Sequence, residues 1–161
     1  MIVVADTSVI LNLCRVQHEQ LLQQLFQKVL IPPQVASEFA RLAGAQARFA
    51  GLVLPVWITV LAGSASPPSA VVQANLDPGE SAAIALCLSE KADALLIDEA
   101  LGRTVAENLG LRTIGILGVL IKSRQSQFIP SVKVLLDRLE KEAGFWVSPN
   151  LRTKVLQTVG E

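Results

Sequence analysis

Apolar and polar positions along the chain switch repeatedly between a continuous pattern and a helical one. Ile2 to Ala5 is a short apolar run rich in β-branched residues, which predicts a strand buried on both faces of a parallel sheet, ending at Asp6. From Ser8 the spacing becomes helical: Val9, Leu13 and Val16, then Leu21, Leu22 and Leu25. The polar break at Gln17 to Gln20 divides it into two short helices. Val29 to Ile31 reads as a second strand. Pro32-Pro33 then opens a helix striped by Val35, Phe39 and Leu42, since proline fits the first helical turn. Leu52 to Leu61 reads as a weaker third strand, and Gly63 to Ser69 as a surface loop.

The second half repeats the alternation. Asp77-Pro78-Gly79-Glu80 is a helix start, with Asp as N-cap, Pro in the first turn and Glu placed to reach back. Ala94 to Ile97 is a buried strand. Asp98 is expected to begin a helix that runs through Leu101, Val105 and Leu109 and stops at Gly110, with Leu111 to Gly115 as the next strand. Ile116–Lys122, Pro130–Ala143 and Pro149–Val159 read as closing helices, the last capped by Ser148. Strands alternating with helices imply right-handed crossovers and an α/β architecture, a three-layer α/β/α sandwich with a central, mostly parallel sheet. Ligands then bind beyond the carboxyl ends of the strands, where the winding reverses.

Composition narrows the chemistry. With 161 residues, 51% of them hydrophobic and 17% charged, the chain is sized for one domain spanning 1–161, with 124–161 as a helical extension. No apolar run approaches a membrane span, and the opening Met1-Ile2-Val3 has no basic leader, so a cytoplasmic protein without membrane contact is expected. Cys14 and Cys87 stand alone in apolar surroundings, as reduced core side chains would. Fourteen basic and 14 acidic residues cancel, so any nucleic-acid binding must be local. One histidine, His18, and no tyrosine leave few general bases and no serine triad. No Gly-x-Gly-x-x-Gly follows the first strand, which argues against a dinucleotide fold. A phosphoryl-transfer receiver needs a lysine beyond a late strand end, and Lys122 sits inside a helical pattern instead.

What remains is carboxylate chemistry. Asp6 and Asp98 both fall where buried strands end, and the helices carrying Glu38 and Glu80 bring two further acids toward the same crevice. Each also has a structural reading: Asp6 and Asp98 suit N-caps, and Glu80 suits a capping box with Asp77. Together, four neighbouring carboxylates require a compensating cation, and hard oxygen donors favour Mg²⁺ or Mn²⁺.

The segments Val3-Val4-Ala5-Asp6-Thr7-Ser8, Ile31 to Glu38, Asp77 to Ala85 and Leu96-Ile97-Asp98-Glu99 occur in an order that resembles the PIN-domain proteins over roughly Ile2 to Gly115. These are metal-dependent ribonucleases that include the toxins of VapBC-type toxin–antitoxin pairs. The resemblance implies Asp6, Glu38, Glu80 and Asp98 as catalytic, metal-holding acids, supported by Ser8, which orients Asp6 or a bound water, and by Glu99. It leaves Asp77 as a cap. It implies hydrolysis of RNA phosphodiesters with a divalent ion acidifying water. Arg103 would bind substrate, with Arg15 and Arg41 as further cations near the crevice. The 51% apolar composition, with helices expected at the surface, points to a homodimer or an antitoxin-like protein partner, the first helices or Ile129–Ala143 supplying the interface. A rival reading keeps the fold as a binding module with weak or no catalysis. Glutamates at two of the four positions, and the extension beyond residue 124, depart from the smallest members.

Overall fold

The computed structural model describes residues 1–63 and 66–161. Five strands, β1 (Ile2–Ala5), β2 (Lys28–Ile31), β3 (Thr59–Val60), β4 (Ala94–Leu96) and β5 (Thr113–Ile114), form one sheet ordered β3-β2-β1-β4-β5. Every pairing is parallel, so the sheet is wholly and not just mostly parallel. Val3 and Val4 of β1 and Leu95 and Leu96 of β4 are fully buried, as the apolar runs require of strands covered on both faces.

Around the sheet lie α1 (Thr7–Arg15), α2 (Gln20–Leu25), α3 (Pro33–Ala45), α4 (Ser69–Ala74), α5 (Pro78–Ser89), α6 (Ala100–Asn108), α7 (Ile116–Gln125), α8 (Val132–Arg138) and α9 (Pro149–Thr158). Right-handed crossovers put the helices after β1 and β2 on one face and those leading into β4 and β5 on the other. Accordingly α1 packs on α3, while α4, α5 and α6 pack on one another, and α5 lies against β1 and β4. The result is a three-layer α/β/α sandwich. From β1 the chain winds outward to β2 and β3, then returns to place β4 on the other side of β1. The winding therefore reverses between β1 and β4, and a crevice opens beyond their carboxyl ends.

Several expectations are corrected. Of the strand expected over Leu52–Leu61 only Thr59–Val60 pairs: Pro55 has no N–H to give a ladder, and Val53 and Val56 are exposed. Helix α4 begins at Ser69, the last residue of the expected loop, with Pro68 before it and Asn75 closing it in a left-handed conformation; Ser64 and Ala65 of that loop lie outside the described residues. Glu99, not Asp98, caps α6, accepting a 2.6 Å hydrogen bond from Gly102 N. That helix ends as expected at Gly110, whose φ of 83° lets Leu111 N reach Ala106 O. The expected Pro130–Ala143 helix starts at Val132, capped by Ser131, and finishes in a π turn over Leu139–Ala143. Leu136, Leu139 and Val155 join the same buried core as the strands. Cys14 and Cys87 are buried free thiols, and burial pushes them up to about 12 and about 11.

Candidate active site

Asp6 sits one residue past β1, and its backbone N–H continues the ladder to Leu96 O of β4 at 2.8 Å. That bond fixes the residue at the reversal point. Although Asp6 occupies the N-cap position of α1, its side chain makes no capping hydrogen bond. The carboxyl is buried, and among the described residues Oδ1 has no hydrogen-bond partner. The capping explanation of Asp6 therefore fails. Burial raises its pKa to about 7, the Thr7 backbone N–H opposes the rise, and the Asp77, Glu38 and Asp98 carboxylates add to it.

Asp6 shares a cleft of about 220 Å³ with Thr7, Ser8, Glu38, Asp77, Glu80 and Glu99. Asp77 caps α5 as its place before Pro78 indicates, accepting from Glu80 N at 2.8 Å. That cap starts the helix with Glu80 in its first turn, and the buried Glu80 carboxyl is pushed well above the usual carboxylate range. Burial is the main cause, followed by the charges of Asp77, Asp6 and Glu99. Glu38 arrives from α3, where the Thr7 hydroxyl donates to its Oε2 at 3.0 Å and Arg41 stands 4.0 Å from its Oε1. Gly79 makes room for it: a Cβ there would collide with Glu38 Oε2. A second hollow, holding Arg41, Gln34 and Ser37, opens beside the cleft and shares Glu38 and Asp77 with it.

The structure thus brings together three of the four expected acids, with Ser8 and Glu99 in the same cleft. Asp98 does not line that cleft. Its Oδ1 accepts from Ile116 N at the start of α7, at 3.0 Å, and it lines an adjoining groove with Arg103. Burial raises its pKa, against the Ile116 N–H and the Arg103 charge, while its Oδ2 is buried without a partner. Arg103 is likewise in that groove and not in the acid cleft. Arg15 turns away, pairing with Glu142 at 3.4 Å. His18 Nδ1 lies 2.7 Å from Val16 O and is no part of the cleft.

Sequence reasoning missed three contributors. Thr7 holds Glu38, a role only the fold reveals, although its place between Asp6 and Ser8 hinted at it. Asp77 is both cap and cleft wall. Arg48 lines the cleft with its guanidinium 4.9 Å from the centroid of the Phe49 ring, on a 3₁₀ turn that no periodicity announced.

The donors are hard carboxylate oxygens, one of them orphaned and buried, which suits a divalent cation. Among the described residues, however, no three acids, histidines or cysteines already converge on one point. This is compatible with Mg²⁺, which takes one or two carboxylates and keeps several waters.

A parallel sheet between helix layers with an acid cleft at its reversal point defines an α/β scaffold whose site is built on carboxylates. The sequence profile of a family described as a PIN domain matches residues 2–161, and the chain belongs to the PIN-domain family. The match runs past Gly115 and takes in α7, α8 and α9. PIN domains are commonly nucleases that use divalent ions. No curated protein and no solved structure matches the chain significantly. No helix among the described residues is long and apolar enough to cross a membrane.

Proposed function

We propose that the chain is a Mg²⁺- or Mn²⁺-dependent ribonuclease acting at the Asp6 cleft. The observation that carries this reading is Asp6 itself, a buried, uncapped carboxyl with an unpartnered oxygen among other acids. Such an arrangement costs stability through desolvation and like-charge repulsion, and a cation relieves both. In this reading Asp6, Glu38 and Glu80 would hold the ion with Glu99 in support, and Asp98 would join them by turning its carboxylate from Ile116 N. The ion, when bound, polarises a phosphodiester and acidifies water. The chain's own residues position the reaction: Thr7 fixes Glu38, Ser8 orients Asp6 or a water, and Arg48 in the cleft and Arg41 in the hollow beside it meet the phosphates.

A toxin role in the cytoplasm, an antitoxin-like partner and a homodimer belong to the same proposal. The exposed Phe128 and Val134 flank and occupy the Ile129–Ala143 segment, and they support an interface there. The test is incubation of the purified chain with mixed-sequence single-stranded RNA and Mn²⁺ or Mg²⁺, beside an EDTA lane and the Asp6→Asn protein. Cleavage lost in both controls is the expected result, with 5′-phosphate and 3′-hydroxyl ends. Cleavage by Asp6→Asn equal to wild type would overturn the site. No cleavage under any condition would favour a binding module.

A further inference from the structure

The groove that holds Asp98 has a composition of its own. It has a volume of about 410 Å³ and runs along the edge strand β5, between α6, α7 and α9. Arg103, Arg112 and Lys122 line it, and among the described residues none of the three forms an ion pair within 4.0 Å. Its acid, Asp98, is engaged with Ile116 N, and the nearby Glu107 is hydrogen-bonded by the Thr113 hydroxyl. In a chain whose charges sum to zero, this is a local positive track. Leu117, Ile121 and Leu151 give the same groove an aliphatic wall. Leu151 is 44% exposed, so the wall is open to an incoming group.

Position completes the picture. Asp98 stands two residues past Leu96, whose carbonyl accepts from Asp6 N, so the groove opens beside the strand ends that carry the acid cleft. The α7 backbone also starts here. Gly115 lets it approach Asp98 and Arg103, because a Cβ at that position would lie 2.6 Å from Asp98 Oδ1 and 3.2 Å from Arg103 Nη1.

We propose that this groove is a subsite for single-stranded RNA beyond the scissile bond, with Arg103, Arg112 and Lys122 on the backbone phosphates and a base against Leu117, Ile121 and Leu151. The inference rests on the ribonuclease reading for its substrate, but its binding claim is tested separately. Three cations beside an apolar wall offer a single strand both partners for its phosphates and a surface for a base. The groove meets only the backbone and a base face, so the subsite grips RNA without reading its sequence.

The test measures binding of a fluorescein-labelled mixed-sequence RNA oligonucleotide in EDTA, where no cleavage occurs, across a series of salt concentrations. Wild type is compared with Arg112→Gln, Lys122→Gln and the double variant, and with Lys28→Gln at the opposite end of the sheet. The slope of log affinity against log salt is expected to fall by about 0.7 for each cation that no longer neutralises a phosphate, and by about twice that in the double variant. Lys28→Gln should leave it unchanged. With Mn²⁺, the double variant should raise KM on long RNA while hydrolysing bis(p-nitrophenyl) phosphate at the wild-type rate. Wild-type salt slopes in the double variant, or an equal fall in Lys28→Gln, would overturn the subsite. So would groove-dependent capture of an acidic protein with no RNA binding. RNA binding that depends on the groove but is never followed by cleavage would instead contradict the nuclease reading and leave the subsite standing.

Discussion

At the scale of single residues, Asp6 dominates because it is held where a carboxylate is least comfortable. Its pKa rises from 3.8 in the unfolded chain to about 7, so the folded state binds the proton more tightly. In metal-free buffer its contribution to stability is therefore fully present below the unfolded value and is lost as pH climbs to about 7, at up to ~1.4 kcal/mol per pH unit. Glu80 and Asp98 shift in the same direction, whereas Glu142 and Glu161, lowered by hydrogen bonds from Arg138 and Ser131, act oppositely and at lower pH. Thermal melting in EDTA should give a higher Tm near about pH 5.5 than near about pH 7.5. Asp6→Asn should raise the Tm at the higher pH and lessen the dependence without removing it, since Glu80 and Asp98 still contribute; a profile as steep as the wild type's would show that Asp6 is not a source of it. Gly79→Ala tests the seat of Glu38. The new Cβ displaces that carboxylate without demanding a forbidden φ, so RNA cleavage should fall by about 10²-fold while the melt changes little. Unaltered cleavage would remove Glu38 from the site. Asp6, Glu38 and Glu80 were legible because each stands at a strand end or on a helix that returns to one. The exchange of roles between Asp98 and Glu99 was not, since a single residue of register at a strand–helix junction decides which acid caps α6 and which reaches Ile116.

At the scale of elements, caps and breakers carried most of the reading. Asp77 before Pro78, Ser148 before Pro149 and Gly110 after α6 all act as their chemistry dictates. The misses fall where tertiary pairing outweighs local pattern: β3 is cut to two residues at the sheet edge, and α4 is a single short helix after two prolines. The segment after residue 124 read as an extension, yet Leu139 and Val132 are fully buried and the π turn packs on α1. Leu139→Ala should accordingly cost about 2–5 kcal/mol in a urea melt. A cost below about 0.5 kcal/mol, the range of ordinary surface substitutions, would mean that the segment is dispensable.

At the scale of the whole molecule, zero net charge hides a division of labour along one edge. Acids collect where the winding reverses, and cations collect along β5 beside them. Composition alone carried no sign of this, because the two groups cancel in the sum. The central claim is that the acid cleft holds a divalent ion. Calorimetric titration of the metal-free chain with Mn²⁺ tests it most directly, with Asp6→Asn alongside and thermal melts showing both proteins folded. Saturable binding by wild type, abolished or greatly weakened in Asp6→Asn, is the predicted result. Equal binding by the two proteins, or none by wild type, would contradict the account.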